Sequence, residues 1–232
     1  DARTVTVTGV DDDIDDDDQN TKIKIAVDKD NSDNAFDGVA NQFVNVTTTS
    51  DDTAGYSLSG TDVRVTEAGT SSTFYVVLDT EPTSNVVLSV SRVHPDGTVV
   101  DVDDEATVSP ETPLSLTFTT ANWDDPAAHT MNVAGVDDDI DDDDQNTTIK
   151  IAVVSSGIDY AADGLTEDVQ VITYDDDDAG FTVEHSGVST RVEVDEAGPT
   201  SDSFTVVLDS EPISDVVLSV SRVHPDGTVV DV

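Results

Sequence analysis

The stretch GVDDDIDDDDQN stands at Gly135–Asn146 and again, letter for letter, at Gly9–Asn20. Each copy holds seven aspartates in eight positions, 137–144 and 11–18. They cannot be buried as ions, because desolvating one unpaired carboxylate is already very costly. They also repel one another. At 4 Å a pair of like charges costs about 1 kcal/mol in water and about 4 kcal/mol at an effective dielectric of 20. A block kept twice, unchanged, between strand-like segments needs something to neutralise it. Calcium, a hard divalent cation, prefers clustered oxygen ligands and is the expected ion. The competing reading is a solvated acidic loop on a salt-adapted surface.

Outward from these blocks the chain repeats itself. SRVHPDGTVVDV recurs at 91–102 and 221–232, FYVVLD at 74–79 matches FTVVLD at 204–209, and AGY at 54–56 matches AGF at 179–181. The offsets run from 125 to 130 residues, too long for a solenoid repeat and right for a sandwich domain. Residues 1–53 correspond to the back half of a unit, 54–178 to a whole unit, and 179–232 to a front half. The chain is therefore read as a piece of something longer.

Within the whole unit, Val63–Thr66, Thr73–Leu78, Val86–Val90, Leu114–Thr119, His129–Val133, Thr148–Val153 and Val169–Thr173 alternate at period two or are rich in β-branched residues. Turn formers separate them: Glu81-Pro82, Pro95-Asp96-Gly97, Ser109-Pro110 and Asp163-Gly164. Such spacing predicts an all-β sandwich. No long amphipathic helix is expected, and residues 121–128 leave room for one short turn.

The 232 residues carry 51 acidic and 9 basic side chains, a formal charge of −42. That excludes a nucleic-acid binder, which needs a basic face, and argues against docking on anionic membranes. No apolar run is long enough to span a bilayer. The absence of cysteine excludes disulfides, thiolate zinc sites and cysteine nucleophiles. The acids gather in loops and at unit junctions, whereas the strands carry Thr and Ser. General salt adaptation would spread them over the strands' outer faces as well.

Three acidic clusters belong to each unit. One is the glutamate of VTEAG at 65–69, repeated as VDEAG at 194–198; the second is the 137–144 block; the third is Asp175–Asp178, with Asp51-Asp52 as its shorter copy. In a sandwich these segments can converge at one end. The unit carrying VxEAG, FxVVLD, LTFTTANW, the GVDDD loop and DDDDAGF resembles the Calx-β domain of sodium–calcium exchangers and large bacterial surface proteins. That resemblance implies tandem immunoglobulin-like seven-stranded sandwiches with several calcium ions at one end. Carried over by motif, the ligands would be Glu67, Asp137, Asp138, Asp176, Asp177 and Asp178. Asp139, Asp141, Asp142 and Asp175 are further candidates within the blocks. In the partial units the matching positions are Asp11, Asp12, Asp13, Asp51, Asp52 and Glu196. Ser50 and Thr53 replace two of the four linker aspartates. A mid-domain acid has only Asp101, Asp103 and Asp104 as candidates.

Other motifs carry less. Asp28-Lys-Asp30-Asn-Ser32 opens like an EF-hand loop but has Asp33 where glycine is required and Val39 where the closing glutamate belongs. His94 and His224 sit in a repeated His-Pro-Asp-Gly turn with no nucleophile arranged beside them. Asp33 and Asp159 read as turn residues, and Trp123 as a core or edge plug. The expected role is non-enzymatic: a calcium-binding structural repeat of a large secreted or cell-surface bacterial protein, stiffened into a rod or adhesive fibre. Its partners would be neighbouring repeats of the same protein, joined by strand complementation. The alternatives are a carbohydrate- or ice-binding adhesin module, for which Thr47–Thr49 and Thr117–Thr120 offer little, and an accessory domain of an extracellular enzyme.

Overall fold

The computed structural model describes residues 1–93, 105–111, 114–155, 160, 165–185, 192–198, 200–225 and 227–228. The strands are β1 (Gln19–Ile25), β2 (Gln42–Thr48), β3 (Tyr56–Leu58), β4 (Asp62–Thr66), β5 (Ser71–Leu78), β6 (Val86–Val93), β7 (Ala106–Ser109), β8 (Leu114–Phe118), β9 (Thr130–Gly135), β10 (Gln145–Ser155), β11 (Thr166–Tyr174), β12 (Phe181–His185) and β13 (Phe204–Leu208). Residues 34–36 and 126–129 form short 3-10 turns, capped by the side chains of Asp33 and Asp125. The second turn lies at the end of the segment expected to hold one.

The central body is an all-β sandwich. One sheet has the order β4-β11-β10-β6-β8 and the other β3-β5-β9-β7. Among the described residues these sheets hold five and four strands, against the seven expected. The alternation read in the sequence becomes the inner faces: Val63 and Val65 of β4, Phe74, Val76 and Leu78 of β5, Val86, Leu88 and Val90 of β6. Leu116 and Phe118, Met131 and Val133, Ile149 and Ile151, and Val169 and Val171 complete the same core. Each such side chain contributes about 1.5–3 kcal/mol by leaving water. Trp123 packs half-buried against this core, and its main-chain oxygen accepts from the Leu78 amide at 2.9 Å.

Two flanking ribbons repeat parts of the body. β1 pairs with β2 so that Gln19 faces Thr48 and Ile23 faces Val44, as Gln145 faces Thr173 and Ile149 faces Val169 in β10–β11. β12 pairs with β13 from Phe181 opposite Leu208, as β3 pairs with β5 from Tyr56 opposite Leu78. Counterparts of core side chains are exposed here: Val44, Phe204 and Val206, which match the buried Val169, Phe74 and Val76, are each at least 40% accessible.

One connection matters for the site. β4 and β11 lie parallel, from Asp62 beside Gln170 to Thr66 beside Tyr174. The residues that follow these strands, Glu67 and Asp175, therefore leave the same edge of the sheet together.

Candidate metal centre

Glu67 opens the turn after β4. Its amide donates to the Tyr174 carbonyl at 3.1 Å, tying it to the end of β11. Gly69, at φ +87°, turns the chain back, its amide reaching the Thr66 oxygen at 3.0 Å, while Thr70 Oγ1 accepts from the Thr66 amide at 2.8 Å. Gly135 at the end of β9 presses on this turn. A Cβ there would lie 2.2 Å from the Thr66 oxygen and 3.2 Å from the Glu67 nitrogen, so only glycine fits.

The result is a glutamate with 1% of its surface accessible whose Oε2 has no hydrogen-bond partner. Burial pushes its carboxyl up to about 7, and Asp175, Glu105, Asp138 and Asp142 push the same way. One carboxylate oxygen from each of Glu67, Asp175 and Asp177 lies within 4.8 Å of the others, and the same holds for Glu67, Glu105 and Asp142. Two oxygens on opposite sides of one calcium, each at 2.3–2.6 Å, are separated by about 4.8 Å. The donor set is all oxygen, which suits calcium or magnesium rather than a softer metal.

The neighbouring loop is folded to hold its acids. Asp138 Oδ1 accepts from the Ile140 amide at 2.7 Å, and Asp143 stands at φ 65°. Asp175 Oδ2 accepts from the amides of Asp142 and Asp143 at 3.0 and 2.9 Å, and Oδ1 from that of Asp177 at 2.8 Å. These main-chain donors hold the Asp175 carboxyl below its ordinary range, Asp177 first. Asp177 moves upward, chiefly by desolvation and then by the charges of Asp139, Asp175, Asp176 and Asp137.

Four of the residues expected from the sequence are thus brought into ligand groups: Glu67, Asp142, Asp175 and Asp177. Asp138, Asp137 and Asp139 lie close enough to act through charge. Asp141 instead accepts from the Ala179 amide at 2.7 Å, and the exposed Asp176 and Asp178 join neither group. Among the described residues, no group forms around Asp11, Asp12, Asp13, Asp51 or Asp52. Those acids do crowd one another. Desolvation first, and then Asp51, Asp13, Asp11 and Asp12, raise Asp52. Glu196 is exposed and belongs to no group among the described residues.

Glu105, which was not among the residues expected from the sequence, joins Glu67 and Asp142 in the second group. It stands directly before β7, and its carbonyl accepts from the Val136 amide at 2.9 Å beside the acidic loop. Asp101, Asp103, Asp104, Asp159 and the His94 turn lie outside the described residues. The His224 copy is a turn, its amide donating to the Thr228 oxygen at 2.8 Å.

No family model matches the chain, and no curated protein matches it. Among solved structures it is similar to the periplasmic chaperone SfaE (12% identity, 76% of this chain and 97% of that one, TM-score 0.38). It is also similar to the E. coli chaperone DraB (11%, 56% and 59%, TM-score 0.35). A third is the class 5 fimbriae chaperone CfaA (6%, 67% and 67%, TM-score 0.35). The Calx-β resemblance is corrected by these findings: the matches are chaperones, and no family model supports Calx-β. With it fall the role of a rod-forming structural repeat of a large surface protein, its adhesin and accessory-domain alternatives, and neighbouring repeats as partners. Of the three, SfaE is named as periplasmic; the cell-surface placement is not retained. The physical reason is that short turn motifs and acidic loops recur wherever strands must be joined in an acidic sandwich. They describe a local chemistry and leave the family open. Among the described residues no helix is long and apolar enough to cross a membrane.

Proposed function

We propose that the end of the central sandwich binds a hard divalent cation, calcium by its donors, and that the fold depends on it. The observation that carries this is the buried Glu67, whose Oε2 has no hydrogen-bond partner and whose carboxylate belongs to two groups of three acids. A glutamate sealed from water among like charges is costly in the bare protein. A divalent ion removes that cost by supplying the missing partner. Glu67, Glu105, Asp142, Asp175 and Asp177 would hold it. We read 54–178 as the self-contained body, with 1–53 and 179–232 as flanking segments, the module as non-catalytic, and its place as outside the cytoplasm, where such cations are abundant.

Thermal unfolding with calcium, with magnesium, with chelator and at matched ionic strength from sodium tests this. A site filled at 100 times its dissociation constant adds about 2.7 kcal/mol, a shift of several degrees for a domain of this size. An equal shift with sodium would mean charge screening and would overturn the reading.

A further inference from the structure

The acidic loops also grip the chain that follows them, and they do so in the same way twice. At the first loop, the Ala54 amide donates to Asp15 Oδ2 at 2.8 Å, and the Glu81 amide, in the turn after β5, donates to the Asp13 carbonyl at 2.7 Å. At the second, the Ala179 amide donates to Asp141 Oδ2 at 2.7 Å, and the Glu211 amide, in the turn after β13, to the Asp139 carbonyl at 2.5 Å. Each loop thus holds two separate points of the following segment: the link that leads into it and a turn beyond its second strand.

The far side of each link is fastened as well. The Asp79 amide donates to the Gly55 carbonyl at 2.9 Å, and the Asp209 amide to that of Gly180 at 3.0 Å. Asp79 Oδ1 accepts from Ser57 Oγ at 2.6 Å, and Asp209 Oδ1 from Thr182 Oγ1 at 2.8 Å. The link runs so close to these aspartates that a Cβ on Gly55 or Gly180 would lie 2.6 or 2.5 Å from their Oδ2 atoms. It is therefore pinned between an acidic loop on one side and the end of a strand on the other.

The cation ligands are not what assembles this arrangement. Among the described residues the first loop joins no ligand group, yet its contacts match those of the second bond for bond. In the second loop two adjacent side chains divide the work. Asp142 belongs to the group with Glu67 and Glu105, and Asp141 holds the Ala179 amide. A carboxylate is a stronger acceptor for an amide than a neutral oxygen. Two acceptors at separated points of one loop resist rotation as well as separation.

We propose that each acidic loop is a clasp that sets the orientation of the segment following it, by hydrogen bonds alone and without a cation. This goes beyond the cation reading and stands if that reading fails. The chain has no cysteine, so Lys22→Cys in β1 and Ser115→Cys in β8, both exposed, place two spin labels across the first clasp. Double electron–electron resonance on the full chain should give one narrow distance in chelator, unchanged by calcium. Asp15→Ala should abolish the narrow distance, with or without calcium. Asp15→Asn, whose amide oxygen still accepts, should restore it. Asp16→Ala, which removes the same charge from a side chain outside the clasp, should leave it as it is. A distribution that is broad in chelator and narrowed by calcium would overturn the proposal. So would equal broadening by Asp15→Ala and Asp16→Ala, or a narrow distance that survives Asp15→Ala.

Discussion

The two acidic loops, residues 11–18 and 137–144, have one sequence and one conformation but different surroundings. In both, the second aspartate caps the isoleucine amide, Asp12 to Ile14 at 3.1 Å and Asp138 to Ile140 at 2.7 Å. In both, the seventh residue stands at positive φ, 58° for Asp17 and 65° for Asp143. In both, a glutamine amide reaches back to the loop, Gln19 to the Asp16 carbonyl at 2.5 Å and Gln145 to that of Asp142 at 2.7 Å. Yet only the second loop joins a ligand group among the described residues. What differs lies outside the loop: the second faces Glu67 and Glu105, and it leans on Asp175, whose counterpart beside the first is Ser50. Local sequence shapes the loop, whereas packing makes the site.

The sharpest way to break this contrast is Glu67→Gln. Calorimetry should show the divalent-cation shift of the central body reduced to that of matched ionic strength, while the loop sequences are untouched. The chelated protein should meanwhile become more stable at pH 7, because the amide removes a buried charge. The pH dependence carries the same sign. A carboxyl raised in the fold to about 7 favours the native state fully below its unfolded value, and that contribution is lost as pH rises through about 7. Without cation, the wild-type midpoint should therefore fall between roughly pH 4.5 and 7 relative to Glu67→Gln. A wild-type curve running parallel to the variant would show that Glu67 is not strained.

Gly135→Ala and Gly9→Ala form the next pair, the same residue before the same loop. The first forces a Cβ against the Thr66 oxygen, whereas at Gly9 the nearest atom is 3.9 Å away. Urea unfolding should show a loss of about 1–3 kcal/mol for the former and a change within about 0.5 kcal/mol for the latter. Equal losses would mean that the glycines serve the loop rather than its surroundings. The smallest effect is expected of Ser50→Asp, which restores the linker acid beside the first loop. Without a buried glutamate opposite, calorimetric stoichiometry for calcium should not rise. A new site would show that the loop and linker acids suffice.

Much of the central body was legible because its period-two stretches are unambiguous. Val63, Phe74, Leu88, Ile149 and Val169 all face inward, in strands placed within a few residues of their observed limits. β3 and β7 were not, being only three and four residues long, too short to show a period of two. Glu67, Asp142, Asp175 and Asp177 were legible as acids near strand ends. Glu105 was not, because it ends a run with Asp101, Asp103 and Asp104, and four neighbouring acids cannot be ranked without knowing where β7 begins. Nor could the sequence separate Asp141, spent on an amide, from Asp142. Adjacent side chains differ in direction, not in kind.

The parallel pairing of β4 with β11 also has a mechanical consequence. A force drawing residue 62 and residue 174 apart along the strand direction loads the whole β4–β11 ladder in shear. Its hydrogen bonds must fail together rather than peel one after another. The proposed cation ligands Glu67 and Asp175 stand at the end of that ladder. Whatever bridges them also fastens the two strands that bear the load.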